Sequence, residues 1–175
     1  KIKVAVVGLG KIGLPLSVAI ANSENFANVF GVDVDSKVVH LVNQGINPLI
    51  GEPGLDEMLH DATSSGRLYS TRDYEFAVKQ SDVVIVAVPL YKDEEGAPDF
   101  SIMDSVVHEL GKHMKKGTLI IFETTLPIGA TKARFAAMLS EVSGLSLEDY
   151  DFFVAYSPER VSSGTFFRDI SAYPK

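Results

Sequence analysis

The sequence predicts an α/β chain: a doubly wound parallel sheet in three layers, with helices on both faces. Two observations predict it. Short apolar runs rich in β-branched residues alternate with stretches of helical period, the pattern of βαβ units joined by right-handed crossovers. Each apolar run is also near-continuously hydrophobic, as a strand covered on both faces must be.

In chain order, Ile2–Val7 reads as the first strand, followed by a helix at about Ile12–Asn22 with Ile12, Leu16, Ala19 and Ile20 on one face. Pro15 is tolerated there because the first helical turn has no internal acceptor for its N–H groups. A second strand, Val29–Val34, leads into a helix at Ser36–Gln44. The segment Asn47–Gly54, with two prolines and two glycines, reads as a surface loop entering a helix at Leu55–Thr63. Val83–Pro89 is the next strand. After it, Tyr91–Pro98 carries Lys92, Asp93, Glu94 and Glu95, and reads as a solvated loop, with a lid as the alternative. A helix at Ser101–Lys115, a strand at Thr118–Glu123, a helix at Ala130–Ser140 and a strand at Phe152–Tyr156 complete the pattern. There is no internal repeat and no low-complexity tract.

At 175 residues the chain suits one domain, and 46% hydrophobic with 22% charged residues is a soluble globular composition. Its apolar runs fall far short of the ~18–20 residues a membrane span needs, and no signal segment opens it. It begins on a strand pattern without an initiator Met, as an excerpt of a longer protein would. The absence of cysteine excludes a disulfide framework, thiolate metal ligands and a catalytic thiol within these residues, and fits a cytoplasmic setting. His40, His60, His108 and His113 fall in or at the ends of helices without the spacing of a metal site, so no metal is expected. A net charge of −7 argues against nucleic acid, but not against an anionic cofactor held by backbone N–H groups at a helix N-terminus.

The most informative local pattern is Gly8-Leu9-Gly10-Lys11-Ile12-Gly13, which follows a strand and opens a helix. Asp33 stands twenty positions after Gly13, at the end of the next strand, which is the spacing of a Rossmann-type dinucleotide fingerprint. Gly8 makes the tight turn, Gly10 lets backbone approach a pyrophosphate, and Gly13 allows helix to pack on strand. The N–H groups of the first helical turn, Lys11 and Ile12 among them, face the phosphates. Asp33 accepts from ribose hydroxyls and repels a 2′-phosphate, so NAD is expected over NADP. A glycine-tight turn without a ligand is the alternative.

Further candidates lie at carboxyl ends of strands. Val88-Pro89 packs on adenine or ribose, or merely ends its strand. In Glu123-Thr124-Thr125-Leu126-Pro127-Ile128-Gly129, the hydroxyls either cap the next helix or, through Thr125, reach the nicotinamide or a water. In Tyr156-Ser157-Pro158-Glu159-Arg160, Glu159 is either a general base or orienting group, or half of a surface pair with Arg160.

Taken in order, these motifs resemble the UDP-glucose/GDP-mannose dehydrogenase family. Val7–Leu16 resembles GLGYVGLPLA, Glu52-Pro53-Gly54-Leu55 matches EPGL, and Pro98-Asp99 matches the PDL step. Thr124–Thr131 resembles STVPVGTT, and Ser157-Pro158-Glu159-Arg160-Val161 resembles the SPER motif of members acting on N-acetylated sugar nucleotides. The chain departs from the family at Lys11, where an aromatic is usual, and at Leu90, where VPTP has a hydroxyl. It also has Ser163 in place of the second Glu of PEFLRE.

The resemblance implies an NAD-dependent twofold oxidation of a sugar C6 alcohol to a carboxylate, through an aldehyde and a thioester, for polysaccharide precursors. Thr125 and Glu159 would place water or substrate oxygen. By the same resemblance residues 1–175 are the N-terminal NAD-binding domain. The catalytic Cys, a central dimerising helix and the sugar-nucleotide domain would lie outside it, the fragment alone being inactive and the whole protein a homodimer. A β-hydroxyacid or 6-phosphogluconate-type dehydrogenase domain and a non-enzymatic NAD-sensing module are the competing expectations.

Overall fold

A computed structural model of the chain describes residues 1–162 and 164–173. Six parallel strands form one sheet: β1 (Ile2–Val7), β2 (Phe26–Val32), β3 (Leu68–Thr71), β4 (Val83–Val86), β7 (Leu119–Phe122) and β8 (Phe153–Tyr156). Their spatial order is β3-β2-β1-β4-β7-β8. From β1 the chain winds outward through β2 and β3, then returns to β4 on the other side of β1. That reversal opens a crevice at the carboxyl ends of β1 and β4, the place where this topology receives ligands.

The period of two along each strand sends alternate side chains to two separate cores. Val4 and Val6 pack with Leu14, Leu16 and Val18 of α1 (Gly13–Ala21), Val42 of α2 (Ser36–Asn43), Leu55 and Leu59 of α3 (Leu55–Ser64), and Phe166 of α7 (Phe166–Ala172). Ala5 and Val7 face Ala77 and Val78 of α4 (Tyr74–Gln80), Met103, Val107 and Leu110 of α5 (Ser101–His113), and Leu139 of α6 (Ala137–Ser143). The three layers are therefore those the sequence predicts.

Several local expectations need correction. The helix at 130–140 begins as a π-helical turn, Thr131–Ala136, before α6. Phe135, on that wider turn, stacks on Phe122 with ring centroids 5.1 Å apart. On the same turn Arg134 makes a paired contact to Asp104 over the Phe100 ring. In α1 the buried residues run Gly13 to Val18 and Ala21, while Ile12, Ala19 and Ile20 are only half-buried. The helix is covered by both α3 and α7, so a one-sided apolar face was the wrong expectation. Tyr91–Pro98 is solvent-exposed throughout, as expected of a solvated loop, but it carries a short hairpin in which Tyr91–Lys92 (β5) pairs antiparallel with Pro98–Asp99 (β6). Asp93 closes that hairpin by accepting from the N–H groups of Glu95 and Ala97.

Candidate functional site

The glycine turn sits at the switch point. Gly8 has φ +93, and its N–H donates to Val32 O at 2.8 Å, so the turn is locked to β2. A Cβ on Gly13 would stand 1.7 Å from Gly8 O, which shows how tightly α1 closes on the strand. At Gly10 the added Cβ would meet nothing within 4 Å: its open side faces the crevice.

Asp33 stands just past the end of β2 and is tied to the turn. Its Oδ2 accepts from Leu9 N–H at 2.7 Å and its Oδ1 from Asp35 N–H at 2.9 Å. The carboxylate thus helps shape the turn as well as facing the crevice. Leu9 in turn fills the space beside Gly31, where a Cβ would come within 2.9 Å of its side chain.

Two clefts adjoin here, sharing Gly10, Ala87, Val88 and Pro89 as a common wall. The smaller, about 260 Å³, is lined on its other side by Gly8, Asp33, Val34, Tyr74 and Ile102. Burial, reinforced by the charges of Asp33 and Glu109, pushes the Tyr74 phenol up to about 12. The larger, about 580 Å³, extends past Lys11 and Ile12 to Glu123, Thr124, Thr125 and Glu159. Gly8, Gly10, Lys11, Ile12, Asp33, Val88, Pro89, Thr125 and Glu159 therefore line one or both clefts, and Gly13 supports the turn from behind.

The loops after β4, β7 and β8 build the larger cleft. Thr124 donates its hydroxyl to Val88 O at 2.6 Å, leaving exposed Thr125 to face the cleft. Neither threonine caps the following helix, which starts at Thr131 without a side-chain cap, so the capping alternative fails. Tyr156 accepts from Leu126 N–H at 3.1 Å through its hydroxyl. Glu159 N–H donates to Glu123 O at 3.0 Å, and Glu159 Oε1 accepts from Arg160 N–H at 2.8 Å. Ser163 lies outside the described residues.

Sequence reasoning missed Tyr74 and Glu123. Glu123 is a buried carboxylate at the end of an apolar strand, and that position was the available signal. Tyr74 lies forty-one positions beyond Asp33, on a helix the sequence did not reveal. Among the described residues no cluster of His, Cys, Asp or Glu is arranged to hold a metal ion.

A parallel sheet with a glycine turn at its switch point and an acidic residue closing the second strand defines a dinucleotide-binding domain. Residues 2–175 match the model of the UDP-glucose/GDP-mannose dehydrogenase family, NAD binding domain, and the chain belongs to that family. The chain is 37% identical over 170 residues to UDP-N-acetyl-D-mannosamine dehydrogenase of Pyrococcus horikoshii, a match covering 96% of this chain and 38% of the relative. The solved UDP-D-ManNAc dehydrogenase from Pyrococcus horikoshii superposes with TM-score 0.89 at 36% identity, over 96% of this chain and 38% of that one. GDP-mannose dehydrogenase from Pseudomonas aeruginosa, solved as a ternary complex, gives TM-score 0.88 at 27% identity, over 95% and 38%. The chain thus spans about two fifths of the length of the relatives it matches.

The cofactor of this domain is NAD. The residues present fit it: an open face at Gly10, the N-terminus of α1 beside it, and a carboxylate rather than a cation at position 33.

Proposed function

We propose that this chain is the NAD-binding part of a nucleotide-sugar 6-dehydrogenase, which oxidises a sugar C6 alcohol to a carboxylate for polysaccharide precursors. A UDP-N-acetylhexosamine is the favoured substrate. The observation that carries the reading is the shared cleft: Thr125 and Glu159 stand in the same hollow as the glycine turn. A cofactor-sensing module would need only the half that holds Asp33. The SPER motif and the similarity to UDP-N-acetyl-D-mannosamine dehydrogenase support the choice of sugar.

In this reading Gly8, Gly10, Lys11, Ile12 and Gly13 hold the pyrophosphate by backbone, Gly13 by its packing. Asp33 accepts from the adenosine ribose hydroxyls and rejects a 2′-phosphate. Val88 and Pro89, common to both clefts, pack on the cofactor where it passes between them. When bound, NAD supplies a hydride acceptor. Thr125 orients the reacting oxygen or a water by hydrogen bonding. Glu159 takes a proton from that oxygen, a role worth roughly 10²–10⁴-fold in rate. The chain has no cysteine, so a thioester step needs residues from the remaining part of the protein. That remainder would carry the sugar-nucleotide domain and a dimerising helix, giving a cytoplasmic homodimer. No described helix is long and apolar enough to cross a membrane.

Two measurements test this. NADH and NADPH titrations followed by nicotinamide fluorescence should show saturable NADH binding and weaker NADPH binding. With the full-length protein, UDP-N-acetylmannosamine should drive NAD reduction, and Glu159→Gln should slow it by about 10²-fold or more. Unchanged turnover in that variant would remove Glu159 from the mechanism.

A further inference from the structure

Glu52 stands outside both main clefts, in the loop between α2 and α3, yet its carboxylate grips the far end of the chain. Its Oε2 accepts from Gly164 N–H at 2.7 Å and its Oε1 from Phe166 N–H at 2.8 Å. Gly164 has φ +88, and a Cβ there would come 3.2 Å from Gly51 O, so the two loops meet backbone to backbone. Lys11 of the glycine turn lines the same small hollow as Glu52 and Gly164.

The described residues between β8 and α7 are therefore held at two places. At its start, Glu159 N–H donates to Glu123 O at 3.0 Å. At its end, Glu52 takes Gly164 and Phe166. Between these, Asp169 accepts from Ser162 N–H at 3.4 Å and from the Thr165 hydroxyl, which stiffens the turn into α7. Both oxygens of Glu52 serve as acceptors in charge-assisted bonds. A glutamine in its place offers one acceptor oxygen and an NH₂ group that cannot accept, so one of the two N–H groups loses its partner.

We propose that Glu52 is a positioning residue for Glu159. By holding Gly164 and Phe166 it fixes the segment that carries Glu159, and so sets where that carboxylate stands in the larger cleft. The inference rests on Glu159 acting in the oxidation proposed above. It gives the Glu52-Pro53-Gly54 segment a catalytic consequence at a distance: misplacing a reacting group by about 1 Å is enough to cost about 10²-fold in rate.

A double-mutant cycle in the full-length enzyme tests it, with Glu52→Gln, Glu159→Gln and the double variant assayed for kcat, KM and NADH affinity. Glu52→Gln should lower kcat by about 10–100-fold and leave NADH affinity unchanged, which also shows that the variant folds. In the Glu159→Gln background it should cost nothing more, because a residue that acts through another has no effect once that other is gone. Gly164→Ala, which strains the same junction, should behave alike and guards against a variant-specific artefact. Full additivity of Glu52→Gln and Glu159→Gln would overturn the positioning role, as would parallel loss of kcat and NADH affinity. If Glu159→Gln alone leaves turnover unchanged, the catalytic assignment of Glu159 falls and takes this inference with it. If Glu159→Gln is slow but the effects add, only the Glu52 link falls.

Discussion

The two clefts on either side of the glycine turn are built by different means. The Asp33 side is held by contacts between elements adjacent in the fold: Gly8 N–H bonds β2, the Asp33 carboxylate bonds Leu9 and Asp35, and α1 closes on Gly8 through Gly13. On the Glu159 side, the loops after β4, β7 and β8 are joined by side chains, Thr124 to Val88 and Tyr156 to Leu126, while Glu52, from the loop before α3, holds Gly164 and Phe166. The first is shaped by bonds within the turn and its neighbouring strand. In the second, the loops are joined to one another chiefly through single side chains, so single substitutions should move groups without unfolding the domain. Damage on the first side should therefore appear as lost binding and stability together, and damage on the second as lost rate.

The strongest test of that contrast is Gly13→Ala. The added methyl would lie 1.7 Å from a backbone oxygen with no flexible side chain to yield, so α1 must move off the turn. Overpacking of this kind costs about 3 kcal/mol. Denaturant unfolding should show the lower midpoint, and NADH titration should show binding lost with it. Stability falling while NADH affinity held would break the link between turn geometry and cofactor binding.

Asp33→Ala comes next. It removes the acceptor for Leu9 and Asp35, a loss of about 1–3 kcal/mol in stability because two N–H groups lose their partner. NADH affinity should drop and the preference over NADPH should narrow. Asp33→Asn separates the two roles in part: it keeps one acceptor oxygen for the turn, leaves the exposed Asp35 N–H to water, and removes the charge that repels a 2′-phosphate. A narrowed preference with a smaller loss of stability than in Asp33→Ala is expected, and a preference as wide as in the unaltered protein would mean the charge at position 33 does not discriminate.

The same division explains what could be read from the sequence. The Asp33 side is local: a strand, a glycine turn, a helix and an acid at fixed spacing, each with its own residue signal. The edge strand β3 was missed because its surroundings are not those of a buried strand. Tyr69 is half exposed, and Ser70, though buried, is satisfied by Asn43 and Val39 of α2, with Asn43 acting as a substitute strand on that side. Without an apolar run there is nothing for periodicity to find; α4 carries Phe76, Ala77 and Val78 but, at seven residues, is too short for a helical period to show. On the Glu159 side, the place of Thr125 and Glu159 at the larger cleft was legible because both follow strand ends, which open on the crevice. The partners of Glu52 lie more than a hundred positions away, and no local pattern encodes that contact.

Thr124→Val probes the looser side. It removes a 2.6 Å bond to Val88 O while keeping side-chain volume, and should cost about 1 kcal/mol in stability. NADH affinity should stay nearly constant while turnover of the full-length enzyme falls, because Val88 and Thr125 shift relative to each other. Affinity falling as steeply as turnover would show that the two sides are mechanically one.

The smallest effect at neutral pH is expected at Tyr74, where the contrast becomes electrostatic. Its phenol is raised from the ordinary 10.0 to about 12, first by burial and then by the negative charges of Asp33 and Glu109. A raised acid holds its proton more tightly in the folded state than in the unfolded chain. The corresponding stability is therefore fully present below about pH 10 and is lost as pH rises towards 12. Tyr74→Phe should leave stability near pH 7 little changed and flatten the alkaline fall of the unfolding midpoint between those values. Phenolate absorbance should show a late-titrating tyrosine in the unaltered protein and none in the variant. With Asp33→Asn, the Tyr74 midpoint should move down, since the second cause of its rise has been removed. An unmoved midpoint would mean that burial and Glu109 set it and that the Asp33 carboxylate does not reach across the smaller cleft.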